Sequence, residues 1–421
     1  MADARSIPPT ELDRLRRRTV ATLVAGVALG STGHIAAVTV ATIVATHISG
    51  GTTAWSGAPG ATVVLGAAAG AVALSWIMVR RGRRFGLAAG YAISVLGAIL
   101  ATIAIVISSL ALLLIGTVLI GFGNASNQLS RYTAADLATP DRRASAIGLV
   151  VWGATIGAVV GPNLVAPAGT VARSLGLPEL AGPYLVPIAF VGAAALLSFV
   201  LLRPDPYELA DASSRHDTQS AEQASTAVSI ASVLARPNVP VAVVALVAGQ
   251  FVMVLIMTMT PLHMFGHGHD LTEVGVVISG HTFGMFGLSP ISGRLTDRFG
   301  SVPVILAGLA TVAFASLLAA AAPPDGGSLL FIALFLLGYG WNLGYVAGSA
   351  LLTTGLSLAE RTRVQGLTDG LIWSSAAVAS LGSGVVLEYA GFAILGLMGA
   401  ALVVVPMMLV IARRSAVAGA R

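Results

Sequence analysis

Four ionisable side chains, His34, Arg131, His281 and Asp369, lie inside long runs of Ala, Val, Leu, Ile and Gly. A charge in such surroundings is costly unless paired or solvated, so each marks a candidate site. Histidine exchanges a proton near neutral pH. His34, one turn after Ser31, and His281 therefore qualify as carriers of a coupling proton, as does the carboxylate of Asp369. The plainer alternatives are hydrogen-bonded packing for the histidines and, for Asp369, a salt bridge to a loop arginine such as Arg363. Arg131 completes a stripe with Asn124, Asn127 and Gln128, all within about 100° of one another on a helix. Four polar groups on one face point to a cavity or a neighbouring helix and away from lipid. In a cavity Arg131 would bind an anionic or polar group; the alternative is snorkelling to the headgroups.

Two milder stripes follow the same period: Asn342, Tyr345 and Ser349, and Gln250, Met253, Met257, Pro261 and Met264. Methionine suits adaptable apolar sites, although plain packing explains such a stripe equally well. His263, His267, His269 and Asp270 are residue types that ligate metals, but Gly266 and Gly268 loosen the backbone between them. No metal is expected. Gly153, Gly157 and Gly161 recur every four residues, a spacing that lets helices approach closely, and Pro162 frees a carbonyl where the chain can hinge.

The elements that position these groups follow from the medium. The chain has 421 residues, 56% hydrophobic and 10% charged, where a soluble domain carries about 25% charged residues. Runs of about 20 apolar residues cross a bilayer as helices. Twelve are present: 20–46, 60–79, 87–107, 110–135, 144–168, 182–202, 239–262, 274–292, 301–321, 328–352, 364–387 and 391–412. The first is too long for a signal-peptide core and is preceded by Glu11 and Asp13, so no cleaved leader is expected. The chain contains no lysine, which a Gly-x4-Gly-Lys phosphate loop requires. It contains no cysteine either, which removes disulfides and thiolate chemistry. No cofactor is expected, and the chain does not read as an enzyme.

All 23 basic residues are arginine. They cluster at Arg14 to Arg18, Arg80 to Arg84, Arg142 and Arg143, Arg294 and Arg298, Arg361 and Arg363, and Arg413 and Arg414. Each cluster follows an even-numbered span or flanks a terminus, whereas the opposite side has only Arg173. By the positive-inside rule the arginine-rich side is cytoplasmic and carries both termini. The basic balance therefore reports topology. No nucleic-acid partner is expected, because the charge is split among short loops.

The polar segment 203–237 separates six spans (1–202) from six (238–421), and the halves echo one another. "RRGRRFG" at 80–86 and "GRLTDRFG" at 293–300 share an Arg-Phe-Gly ending 214 positions apart. Asp141-Arg142 and Glu360-Arg361 follow fourth spans of each half, 219 positions apart. Paired repeats are how many secondary transporters build a central site between two rocking units.

On these residues the chain resembles the major facilitator superfamily along nearly its whole length. "GRLTDRFG" is similar to that family's loop signature, Gly-x-Leu-Ala-Asp-Arg-x-Gly, keeping Gly293, Asp297, Arg298 and Gly300. The first copy, ending in Arg84, Phe85 and Gly86, has Val79 for the leading Gly and Arg83 for the Asp. "ADLATPDRR" (135–143) and "SVLARPNV" (232–239) resemble the family's helix 4–5 connection and its entry to helix 7. The resemblance implies an all-α membrane protein of twelve transmembrane helices in two pseudo-symmetric six-helix bundles. It implies that Asp297 contacts the start of the eleventh helix in one access state. It also implies that helices 1, 4, 7 and 10 line the substrate path, which places His34, Asn124, Asn127, Gln128, Arg131, Gln250, Met257, Asn342 and Tyr345 there. Gly157, Gly161 and Pro162 partly resemble the Gly-Pro motif of the family's antiporters, though Val165 and Ala166 stand where that motif has glycines.

The expected function is alternating-access secondary transport in the bacterial inner membrane by a monomer. Its leading form is export of a small amphipathic compound against protons; import of a polar metabolite, or a receptor or assembly role without transport, are the alternatives. Reporters fused after residue 215 and after residue 421 should both read cytoplasmic. A periplasmic signal at either point would end the twelve-span topology.

Overall fold

The computed structural model describes residues 9–50, 55, 57–210, 233–268, 271–323 and 327–418. Every long element among them is helical. The order is α1 Pro9–Ile48, α2 Ala58–Arg81, α3 Arg83–Val106, α4 Leu110–Leu137, α5 Arg143–Asn163, α6 Val165–Ser174 and α7 Gly182–Leu201. After the linker come α8 Asn238–Met257, α9 Thr260–Gly266, α10 Leu271–Thr282, α11 Ser289–Phe299 and α12 Ser301–Ala321. The chain closes with α13 Gly327–Leu351, α14 Leu358–Ala390 and α15 Phe392–Ala418. Eleven helices among the described residues are long and apolar enough to cross a membrane.

The expected eighth span, 274–292, is instead divided. A wide π turn at Phe283–Gly287 separates α10 from α11, which opens with Pro290 in its first turn. Proline has no N–H to give the carbonyl four residues back, here that of Phe286. The Ser289 hydroxyl donates to that carbonyl at 2.8 Å. Asn342 on α13 completes the repair: its Nδ2 donates to the Met285 carbonyl at 2.6 Å and to Ser289 Oγ at 2.7 Å, and its Oδ1 accepts from Ser292 at 2.5 Å. A break in a span survives where neighbouring side chains satisfy the freed groups, as these do.

The described residues form two compact units. The first lies within Met1–Thr139, Gly153–Val228 and Ser357–Trp373, the second within Pro140–Trp152, Ser229–Leu356 and Ser374–Arg421. The helices α5 and α14 are thus divided between the units, each contributing its first turns to the unit of the other half. In the first unit, Ala37, Val40, Val44, Ala98, Ala101, Leu113, Ile120 and Tyr184 form a core joining α1, α3, α4 and α7. Small residues dominate because helices in lipid associate by close packing.

Close approach is sharpest between α1 and α5. A Cβ on Gly153 would lie 2.8 Å from the Val24 carbonyl, one on Gly161 would lie 3.0 Å from the Thr32 carbonyl, and one on Gly157 would overlap Ser31. The expected glycine stripe is a helix-contact surface. Pro162 is followed by the interruption at Leu164 that separates α5 from α6.

The structure also corrects the alignment of the repeats. The chain turns between α2 and α3 at Gly82 (φ 88°) and between α11 and α12 at Gly300 (φ 89°), a left-handed conformation that glycine adopts without strain. Gly82, not Gly86, is therefore the counterpart of Gly300, and the offset is 218 residues rather than 214. Arg84 and Gly86 lie within α3. At this offset the counterpart of Asp297 is Val79 and that of Gly293 is Ser75. Packing agrees: Gly148 of α5 sits against Ser289, and Gly366 of α14 sits against Ala71 and Ser75.

Gly157→Leu should lower thermal stability in detergent by the equivalent of about 1–3 kcal/mol, the usual cost of overpacking. Gly192→Ala, whose Cβ would meet only Val95 at 3.8 Å, should leave the melting temperature unchanged. Equal effects from the two variants would contradict the α1–α5 contact.

Candidate functional site

The deepest charges of the first unit lie along one seam between α4 and the first turns of α14. Arg361, Gln365 and Asp369 are spaced four apart, so they share one face of α14. Arg131 and Asp369, 0% and 1% exposed at their side chains, form an ion pair with Nη2 2.6 Å from Oδ1. The same Nη2 donates to Tyr132 Oη at 2.8 Å, and that hydroxyl donates to Asp369 Oδ1 at 3.3 Å. Arg131 Nη1 donates to the Gln128 carbonyl at 2.6 Å and to Gln128 Oε1 at 3.3 Å. The Tyr132 ring lies 4.1 Å beneath the guanidinium. Arg131 therefore neither stands open in a cavity nor reaches headgroups; it is paired with a carboxylate across the seam. Arg363 is not the partner of Asp369, because six residues of helix place it about 120° away around the axis, where it is exposed.

Toward the arginine-rich end the pairing reverses. Arg83, fully buried at the start of α3, donates from Nη2 to Asp136 Oδ2 at 2.6 Å and to Gln365 Oε1 at 2.9 Å. Arg361 lies 3.9 Å from the other oxygen of Asp136. Breaking a buried pair costs about 3–5 kcal/mol, since the survivor is left as an isolated charge. By sequence Arg83 is only one of a cluster of arginines that reports topology, and neither Asp136 nor Gln365 is singled out. The four-residue spacing on α14 was the available signal.

The rest of the first-unit stripe is knitted into packing. Asn127 donates to Ser31 at 3.4 Å and accepts from Tyr91 at 2.9 Å, tying α4 to α1 and α3. Asn124 is buried and Gln128 half-buried. His34 is half-buried, with its Nδ1 enclosed and without a hydrogen bond.

In the second unit the seventh- and tenth-span residues build an aromatic wall. Gln250 Oε1 accepts from Trp341 Nε1 at 2.8 Å, Trp341 stacks on Tyr345 at 4.4 Å, and Phe286 meets Trp341 edge-on at 6.0 Å. Trp341 and Phe286 were not singled out from sequence. Met257 is half-buried at the end of α8. Asn342 turns away from this wall to the α10–α11 break. His281 bonds the Leu334 carbonyl through Nδ1 at 2.7 Å. His263 stacks on Phe392 at 4.2 Å, and His267 Nδ1 is 2.7 Å from the His263 carbonyl. His269 and Asp270 lie outside the described residues, among which no metal-ligating group of three occurs.

Asp297 is placed by the α11–α12 turn. Its two oxygens accept from the amides of Ala144 at 3.0 Å and Ser145 at 2.9 Å. These are among the first amides of α5, which have no carbonyl one turn earlier in the helix to bond. A carboxylate there also meets the positive end of the helix dipole. The expected contact with the eleventh helix is thus corrected to the fifth, because the second-half loop packs on the helix that the first half contributes to its unit. Gly293 permits the approach, since a Cβ there would lie 2.6 Å from the Ala144 carbonyl. Arg298 is exposed. Arg84 donates to the Phe199 carbonyl at 2.7 Å. Its amide and that of Arg83 donate to Asp205, which caps α3 and was not anticipated. Burial pushes the Asp205 carboxyl above its ordinary value even though three amides donate to it.

The family model described as the Major Facilitator Superfamily matches residues 20–278 and 241–420. YddS, an uncharacterised MFS-type transporter of Bacillus subtilis, is 38% identical over 94% of this chain and 90% of its own length. YdeG of the same organism is 37% identical over 93% of this chain and 90% of its own. A Brucella anthropi protein named as the riboflavin transporter RfnT is 31% identical over 85% and 86%. Among solved structures, the Escherichia coli fucose:proton symporter FucP superposes with a TM-score of 0.72 at 18% identity, over 94% of this chain and 98% of that one, which shows a common fold. Taken with the apolar helices, these matches make the chain a multi-pass membrane transporter that belongs to the major facilitator superfamily.

Proposed function

We propose that this transporter is a proton-coupled exporter of a small amphipathic, ring-bearing compound, working as a monomer in the bacterial inner membrane with both termini cytoplasmic. The observation that carries the coupling assignment is the buried Arg131–Asp369 pair. While Asp369 is ionised it neutralises Arg131 and holds α14 to α4. A proton on Asp369 removes that attraction and leaves the guanidinium to seek another partner, such as the polar part of a substrate. One site then reads both ligands, as exchange requires. His34 is the second coupling candidate, and His281, whose Nδ1 meets the Leu334 carbonyl, the third.

The substrate class rests on two supports. Trp341, Tyr345 and Phe286 offer flat faces and edges with Gln250 as a polar neighbour. The relative named for riboflavin carries, by that name, a heteroaromatic ring with a polar tail. Export rests on the α5 glycine stripe, which resembles the antiporter motif and here forms the α1–α5 contact. The gating assignment for Gly293, Asp297, Arg298 and Gly300 rests on the cap that Asp297 places on α5.

The test uses the full chain in proteoliposomes with a trapped pH dye. Riboflavin is tried first, then amphipathic heterocycles that raise the melting temperature of the wild type. An active compound should move protons through the wild type. Asp369→Asn should keep the thermal shift but carry no proton with the compound. Proton movement by Asp369→Asn at the wild-type rate would remove Asp369 from coupling.

A further inference from the structure

We propose that the corner where α1, α3 and the end of α7 meet binds the headgroup of an anionic phospholipid, held by Arg84 and Arg203 with Arg18 beside them. All three elements belong to the first unit. This lipid is separate from the compound carried. The Arg84 guanidinium carbon lies 4.5 Å from the centre of the Phe199 ring, and that of Arg203 lies 5.8 Å from the same ring. Arg18 donates from Nη2 to the Arg203 carbonyl. Three arginines from three parts of the chain are thus gathered at one exposed phenylalanine.

Part of this crowding is answered within the protein. Arg84 Nε donates to the Phe199 carbonyl at 2.7 Å, near the end of α7. The last carbonyls of a helix together carry roughly half a negative charge. Asp205 adds a full one, but its oxygens accept from the amides of Arg83, Arg84 and Tyr207. The first two amides belong to the start of α3, whose own dipole end is positive. Three guanidinium charges therefore outweigh the local counter-charge by roughly one and a half units. Among the described residues no carboxylate forms an ion pair with Arg18, Arg84 or Arg203. An anion from outside the chain removes the excess.

The donors left over suit a phosphate. A guanidinium against a ring keeps its N–H edge for an anion, because the ring takes only a face. Among the described residues the Arg84 side chain uses only Nε in a hydrogen bond, and the Arg203 side chain makes none. The forked Nη groups that meet phosphate bidentately remain available. Toward the membrane interior the surface turns to hydrocarbon. Leu196, Phe199 and Val200 stand three and four residues apart, so they share one face of α7, and all three are exposed. A charged headgroup at the guanidiniums with acyl chains along this face uses both halves of the surface; a free phosphate would use one. Basic pockets at the ends of membrane helices bind anionic headgroups by this combination.

Other arginines of the same face are built differently. Arg80 lies 3.6 Å from the ring of Trp76, one turn away on its own helix, and Arg298 lies 5.2 Å from the ring of Phe299 beside it. Each is one charge on one ring. Arg413 and Arg414, at the end of α15, are exposed and make no ring contact among the described residues. They give a control that removes the same charge elsewhere. The test titrates phosphatidylglycerol into delipidated full-length protein and reads bound lipid by native mass spectrometry, alongside the melting temperature. The wild type should retain phosphatidylglycerol under activation that strips phosphatidylcholine, and the bound lipid should raise the melting temperature. Arg84→Gln with Arg203→Gln should weaken the apparent affinity about tenfold or more. Arg413→Gln with Arg414→Gln should leave it unchanged.

Equal weakening by the two double variants would reduce the corner to diffuse surface charge and overturn the site. Equal retention of phosphatidylcholine would show that the headgroup charge is not read, and would overturn it too. The same rise in melting temperature from inorganic phosphate alone would replace the lipid with a free anion. Should the Arg84→Gln, Arg203→Gln protein not be monodisperse, Arg203→Gln alone decides, because no side-chain hydrogen bond is lost with it. A loss of affinity confined to phosphatidylglycerol in that variant sustains the site, and an unchanged affinity overturns it.

Discussion

An ionised side chain in hydrocarbon must find its counter-charge inside the protein, and this requirement organises the seam between α4 and α14. Arg131 and Asp369 meet it deep in the first unit, and Arg83, Asp136 and Arg361 meet it nearer the arginine-rich end. The polarity alternates along the seam: α4 presents a cation and then an anion, α14 an anion and then a cation. Only one register of α14 against α4 matches both pairs at once. Charges that cost stability in a membrane thereby fix position, and a change of protonation at one of them alters the force holding two helices together.

The two halves solve one mechanical problem with different chemistry. Each half must hold the first turns of a helix whose remainder belongs to the other unit. At α5 the grip is a carboxylate on free amides, a contact that needs an uncapped helix end and a glycine at position 293. At α14 Ser357 and Glu360 exchange hydrogen bonds across the first turn, and buried side chains of Arg83 and Asp136 meet Gln365 and Arg361. The loop signature keeps its carboxylate, Asp297, in one copy, whereas the matching position in the other is Val79.

Much of the architecture was legible in the sequence because the bilayer writes it coarsely. Apolar runs of spanning length gave the helices, and the glycine stripe at 153, 157 and 161 gave a helix contact. The eighth span, 274–292, is helical on both sides of a π turn at Phe283–Gly287, a local feature that hydropathy does not register. The repeat offset was misjudged by four residues because "RFG" recurs, and only the backbone at Gly82 and Gly300 reveals which glycine turns the chain. Within the site, Arg131 and Asp369 were visible as isolated charges, yet their pairing was not. Nothing local relates residues 238 positions apart. Asn342 was read as facing the substrate path; it serves the break at Ser289, a role that exists only once α10 and α11 are in place.

The central claim, that Asp369 takes up a proton in exchange for its hold on Arg131, is tested most directly by infrared difference spectroscopy of the purified full-length protein across a pH titration. The account predicts a protonated-carboxyl band that grows on acidification, is absent in Asp369→Asn, and is shifted by Arg131→Gln. The same carboxyl band in wild type and Asp369→Asn would place the titrating group elsewhere and contradict the account.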